Sequence, residues 1–189
     1  MKDFLPFILF FSFIILQRIV EVLVAKNNES WMKKRGAIEF GEKHYRFMVL
    51  MHSLFFISLL LEKLLFNRGF STVWPWVLMI FVLAQFFRIW VIASLGRFWN
   101  TKIIVLPDAP AIRKGPYRYI RHPNYFVVTI EFLVIPTLFS AYLTACLFTI
   151  FNAIMLAIRI REEENALKSI TEYEGTFKDC HRFIPKFDK

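Results

Sequence analysis

The sequence predicts an all-α integral membrane protein of about five transmembrane helices, the last two forming a short helical hairpin. Three observations carry that expectation. Of the 189 residues, 57% are hydrophobic and 18% aromatic, and only six are glycine, a composition that excludes an ordinary soluble domain and leaves little loop or linker. Several apolar runs reach the length of about 20 residues that a helix needs to cross a bilayer. Finally, Lys and Arg collect in alternate gaps between those runs, the pattern that fixes membrane topology.

Phe4 to Ala25 is apolar except for Gln17, Arg18 and Glu21, and gives the first span. A cleaved signal peptide is the rival account, since Val22 to Ala25 ends in a small residue. Arg18 and Glu21, three residues apart on one helix face, favour a retained helix packed inward. Phe47 to Leu61 with its flanks gives the second span, and Phe70 to Phe87, uncharged and continuing past Arg88 to Leu95, the third. The run from Asn124 to Ile158 carries Glu131 as its one charge and would make roughly 50 Å of helix, too long for one pass through a core of about 30 Å. A tight reversal near Pro136 to Ala141 splits it into two short arms. That hairpin draws His122 and Arg159 to the same face.

Six Lys or Arg lie between Lys26 and Arg46, six between Arg97 and Arg121, and seven from Arg159 onward, whereas Lys63 and Arg68 alone separate the second and third spans. All the rich segments share one side if the N-terminus is outside and the C-terminus cytoplasmic. The net charge of +9 therefore meets anionic lipid head groups, with Lys114, Arg118 and Arg121 facing phosphates, and no separate basic module exists to bind nucleic acid. Two cysteines, Cys146 and Cys180, provide neither a disulfide framework nor a zinc site, and no metal site is expected.

Ionisable groups inside a membrane are costly, and they mark either packed polar pairs or a working cavity. The candidates are Arg18 with Glu21, His44 and His52, Gln85 with Arg88, Glu131 and Asn152. An ion pair or snorkelling suffices for Arg18, Glu21 and Arg88, and a core histidine suffices for His52. Glu131, about two turns into the hairpin, needs a partner or a proton.

Two motifs meet at the hairpin's open end: KGPYRYIRHPNY, residues 114–125, and RIREEENAL, residues 159–167. Opposed charges converging at a membrane surface suit a zwitterionic ligand. S-adenosylmethionine is one, with an amino acid head, an adenine and a sulfonium, and methyl transfer asks the protein mainly to align, bind and exclude water. Glu163 can pair with an ammonium, Arg159 on the same helix face can hold an anionic substrate group, and Tyr117 and Tyr125 can stack on adenine or face a sulfonium. No Walker loop, GxGxxG, nucleophile elbow or HExxH is present.

GPYRYIRHPNY followed one hairpin later by RIREEENAL resembles the isoprenylcysteine carboxyl methyltransferase family, which is related to the phospholipid methyltransferases. The resemblance covers about Leu95 to the C-terminus. It implies one membrane methyltransferase domain over residues 1–189: three spans to residue 95, then a cofactor-binding loop, the hairpin and a cytoplasmic tail, with the cofactor pocket on the cytoplasmic side. It implies cofactor contacts from Ala109, Pro110, Ala111 and Ile112, from Tyr117, from His122, Pro123, Asn124 and Tyr125, and from Glu163, with Arg159 facing the substrate. Two positions depart from the family: Ala109 stands where histidine is frequent, so contacts there fall to the backbone, and Val127 stands where glycine is usual.

The N-terminal half, QRIVEVLVAKNNESWMKKRGAIEFGEKHY, resembles small bacterial members, some associated with type III polyketide synthases and with methylation of long-chain alkylpyrones. That branch implies a multi-pass protein of the bacterial cell membrane, a lipophilic acceptor drawn from the bilayer and a polyketide synthase as partner. An alkylpyrone or phenol hydroxyl needs a weak general base, for which Glu131 and His52 are the candidates, whereas an isoprenylcysteine carboxylate needs none. Two other classes stay open. Membrane sterol reductases, which use NADPH, show a similar RHPNY but usually continue Phe-Gly-Glu, and a non-enzymatic lipid-binding protein could keep the fold with Val127 in place of glycine.

Overall fold

The computed structural model describes residues 3–177 and 180–183. Lys178, Lys186 and Lys189 of the charged tail lie outside the described residues. Five long helices follow one another: α1 (Phe4–Lys33), α2 (Glu42–Leu65), α3 (Trp74–Leu95), α4 (Pro123–Leu138) and α5 (Tyr142–Ile170), with a one-turn α6 (Tyr173–Thr176) after them. Four of these, α1, α2, α3 and α5, are long and apolar enough to cross a membrane. The fourth, α4, is apolar but has 16 residues, about 24 Å of rise. Leu9, Phe13 and Leu16 of α1 and Phe86 and Ile89 of α3 are exposed, as side chains facing lipid must be.

One feature departs from an all-helical chain. Ile38–Phe40 (β1) and Ile103–Val105 (β2) pair antiparallel, Glu39 opposite Ile104. The ladder ties the α1–α2 connection to the segment after α3, and all three β2 residues are buried.

The reversal between α4 and α5 lies where Pro136 and Ala141 place it. Pro136 occupies the last turn of α4, Ser140 takes a left-handed φ of 55°, and the Ala141 N–H donates to the Pro136 carbonyl at 2.9 Å. Glu62 of α2 accepts from the N–H groups of Leu143 and Thr144 at 3.3 and 2.8 Å, satisfying donors at the first turn of α5. Near the reversal an aromatic seam fills the core: Phe7 against Phe139 at 4.9 Å, Phe55 against Phe132 at 4.6 Å and against Phe148 at 5.6 Å. The Phe55–Phe148 contact and the 2.9 Å Ser58–Thr144 hydrogen bond show α2 and α5 packed antiparallel.

Midway along the helices, polar side chains join α1, α3 and α4. Arg18 donates to Glu21 at 2.7 Å and to Glu131 at 2.5 Å; Arg88 donates to Glu21 at 2.7 Å and also to Glu131. Gln85 donates to Glu131 at 2.8 Å and accepts from Gln17 at 2.6 Å. Two guanidiniums and two carboxylates balance, which is the condition for burying charge in hydrocarbon.

Candidate functional site

A cavity of about 680 Å³ opens at the end of the bundle away from the reversal, within the range of about 300–1,000 Å³ typical of small-molecule sites. One stripe of α5 runs its whole length: Asn152, Leu156, Arg159, Glu163 and Leu167, spaced three or four residues apart and so on one helix face, with Thr171 just past the helix end continuing it. From Asn152 to Thr171 that stripe covers about 28 Å. Its deep part is walled by apolar groups of α1 and α2, including Ile15, Ile19, Met48 and Phe56. Its outer part is walled by the segment from Ala109 to Tyr125.

Pro123 begins α4, where its missing N–H is harmless, and is buried outside the cavity wall. That start turns Tyr125 toward α5. Its hydroxyl accepts from Arg159 Nε at 2.9 Å and donates to Glu163, while Arg159 Nη2 donates to the Thr101 carbonyl at 2.6 Å. Both hydroxyl valences of Tyr125 are thus taken, and its ring remains for contact. The His122 ring stacks on it at 5.3 Å and 22°.

The two neighbouring glutamates divide the work. Glu163 lines the cavity with its side chain 30% exposed, whereas Glu164 is 7% exposed and does not. Glu164 holds His122 Nε2 at 3.0 Å and takes two hydrogen bonds from Arg182, at 2.9 and 2.7 Å. It orients His122 and fastens the C-terminal segment to the site.

The outer wall depends on a close approach. Gly115 has φ +54°, and a Cβ there would collide with Ser94 Oγ of α3, so only glycine lets the GPY turn lie against that helix. Burial, with the Glu163 carboxylate next, pushes the Tyr117 hydroxyl well above its ordinary range, so it stays a neutral phenol. The Asp108 N–H donates to the Ile170 carbonyl at 3.2 Å, and Ala111 packs against Tyr173, Phe177 and Cys180. Arg121, half-buried, donates to the carbonyls of Cys180 at 2.6 Å and Phe177 at 2.7 Å, so it ties the segment before α4 to the tail. Lys114 and Arg118 are exposed.

The cavity gathers Ala109, Pro110, Ala111, Ile112, Tyr117, His122, Asn124, Tyr125, Arg159 and Glu163, together with His52 from the membrane side. Glu131 stands apart: it is 3% exposed, engaged by Arg18, Arg88 and Gln85, and absent from the cavity wall. His52 Nδ1 lies 2.8 Å from the Met48 carbonyl, which can only accept, so the proton sits on Nδ1 and Nε2 carries the lone pair. Val127 is fully buried on α4. Several lining groups went unforeseen: Tyr45, Trp99 and Thr101, and Tyr173 and Phe177 of the tail. Leu167 and Thr171 were within reach, since they continue the four-residue step from Arg159 and Glu163. Asn124 Oδ1, Tyr173 Oη and Trp99 Nε1 are buried cavity atoms with no hydrogen-bond partner among the described residues, the signature of a site built for a polar ligand.

The chain is 49% identical over 162 residues to the uncharacterized protein YpbQ of Bacillus subtilis strain 168, covering 86% of this chain and 96% of the relative. It is 29% identical over 161 residues to an uncharacterized protein of Haemophilus influenzae, covering 85% and 94%. The sequence pattern of the isoprenylcysteine carboxyl methyltransferase (ICMT) family matches residues 76–169, the stretch that supplies α3, the GPY turn and the α4–α5 hairpin. The chain belongs to the isoprenylcysteine carboxyl methyltransferase family.

Proposed function

We propose that this protein is an S-adenosylmethionine-dependent membrane methyltransferase that takes its cofactor from the cytoplasm and a lipid-tailed acceptor from the bilayer. The observation that carries the reading is the continuity of one cavity, ringed by His122, Tyr125 and Glu163 at its outer end and reaching between α1 and α2 at its inner end, where apolar groups such as Ile15, Ile19, Met48 and Phe56 stand beside His52 and Asn152. Membership of the family supports it, since ICMT-family methyltransferases use S-adenosylmethionine in general.

The residues present fit that cofactor. Glu163, partly exposed, pairs with an ammonium; the rings of Tyr117 and Tyr125 offer π faces to adenine or a sulfonium; Asn124 Oδ1 and Tyr173 Oη await polar partners. With Ala109 in place of an imidazole, the segment through Ile112 contributes backbone and apolar contact. When bound, the cofactor supplies an electrophilic methyl carbon. Arg159, fixed by Tyr125 and Thr101, holds an oxygen of the acceptor. For a hydroxyl acceptor, such as that of a long-chain polyketide or alkylpyrone, His52 takes the proton, since Glu131 is committed to two arginines; an isoprenylcysteine-type carboxylate needs no base.

In this reading α4 is a fifth, short span that borrows His122 and the Phe139–Ala141 reversal to reach both surfaces, and the cavity mouth is cytoplasmic with the N-terminus outside. Lys114 and Arg118 then meet anionic head groups, and a polyketide synthase would deliver the acceptor. The test is direct titration of detergent-purified protein with S-adenosylmethionine and transfer of labelled methyl into extracted lipid. Saturable binding, weakened at least about tenfold by Glu163→Ala, is expected. No binding, or NADPH binding in its place, would overturn the assignment.

A further inference from the structure

Asn152 sits at membrane depth on the cavity wall, 1% exposed, and its Oδ1 has no partner among the described residues. Its orientation is determined. Thr129 Oγ1 donates its one proton to the Tyr125 carbonyl at 2.9 Å, so toward Asn152 it can only accept, and it does so from Nδ2 at 3.2 Å. The amide nitrogen is therefore fixed on Thr129, and the carbonyl oxygen is the free atom.

A second acceptor stands beside it. His52 packs its ring against Phe132 at 5.0 Å, and Phe132 lies three residues after Thr129 on α4, so Asn152 and His52 abut the same turn of that helix. The antiparallel pairing of Phe55 with Phe148 and Ser58 with Thr144 puts His52 and Asn152 at one level of the bundle. With its proton on Nδ1, neutral His52 adds the Nε2 lone pair to the Asn152 oxygen. Arg159 lies seven residues, about 10 Å, from Asn152 along α5, so this subsite lies about two turns deeper than the arginine.

We propose that Asn152, with His52, is a specificity-determining residue: the pair accepts a neutral, proton-bearing hydroxyl on the acceptor's head and turns away a carboxylate, whose lone pairs would face theirs. The inference rests on the methyltransferase reading and narrows it, favouring phenol-type acceptors over isoprenylcysteine-type carboxylates. An acceptor atom already buried has its desolvation cost restored only by a donor, so a ligand lacking that donor is penalised.

The experiment measures binding of three probes to detergent-purified protein, with and without S-adenosylhomocysteine: a pentadecyl phenol, its methyl ether and a farnesyl thioether carboxylic acid. Wild type should bind the phenol at least about tenfold more tightly than either of the others. Asn152→Leu should bring phenol and ether within about threefold. Thr129→Val, which frees the amide to rotate without altering the cavity wall, should reduce the preference in the same direction. Unchanged S-adenosylhomocysteine affinity in both variants reports an intact fold. Equal binding of phenol and ether by wild type, tighter binding of the carboxylate, binding of none, or a preference that survives Asn152→Leu overturns the inference. Failure to bind S-adenosylhomocysteine counts instead against the methyltransferase reading.

Discussion

Two polar clusters lie along α4, built from the same kinds of side chain and finished in opposite ways. The midmembrane cluster of Arg18, Glu21, Arg88 and Glu131 closes its charges on itself, each carboxylate meeting two guanidiniums, although Arg18, Glu21 and Arg88 also border the cavity and the Nε atoms of both arginines have no partner among the described residues. The cluster at the open end, Tyr125, Arg159, Glu163 and His122, leaves a carboxylate partly exposed and faces a cavity with unpartnered polar atoms. A buried charge matched by opposite charges joins helices; a carboxylate left partly exposed in a cavity can still take a ligand. Residue type does not separate the two, and closure of the charge set does.

Breaking the closed cluster should have the largest effect. Glu131→Ala leaves two guanidiniums facing one carboxylate and should lower stability by about 3–5 kcal/mol, read as thermal unfolding in detergent. Replacing the set together, Arg18→Met, Glu21→Leu, Arg88→Met and Glu131→Leu, should recover most of that loss, because no charge is then left alone. Glu163→Ala should do the reverse: cofactor affinity falls at least about tenfold, about 1.4 kcal/mol, while the midpoint of unfolding moves by less than about 2 °C. Glu164→Gln falls between them, since Glu164 reaches the ligand only through His122 and Arg182; affinity should drop about threefold, and Arg182→Ala should match it.

The smallest effect belongs to a third, solvated set. Burial alone would raise the Glu39 carboxyl, but hydrogen bonds from Lys33 and Lys102 outweigh it and hold the group below its ordinary range. A lowered pKa contributes stability above the unfolded value and loses it as pH falls through the folded one. Glu39→Gln should therefore cost less than about 1 kcal/mol at neutral pH, and nothing in acid where the carboxyl is protonated in both states.

Four membrane-crossing helices and the reversal were legible because their signals are local: apolar length, Pro123 opening the shorter α4 and Pro136 in its last turn. The approach of His122 and Tyr125 to Glu163 followed from the hairpin alone. What the sequence withheld depends on distant pairing or on helix phase. Three-residue strands 65 positions apart carry no periodicity of their own, so the Ile38–Val105 ladder was invisible. The partners of Arg121 are backbone carbonyls of the tail, which no side-chain pattern announces. Glu131 was recognised as needing a partner, but its partners lie 113 and 43 residues away. Glu163 and Glu164 differ by about 100° around α5, and which one faces a ligand depends on where that helix is buried.

The central claim is that the open cluster is a cofactor site and the closed one is not. Calorimetric titration of S-adenosylmethionine into wild type, Glu163→Ala and Glu131→Gln tests it most directly. The account predicts saturable binding, weakened at least about tenfold in Glu163→Ala and within about twofold of wild type in folded Glu131→Gln. Equal affinity in wild type and Glu163→Ala, or loss of binding confined to Glu131→Gln, would contradict it.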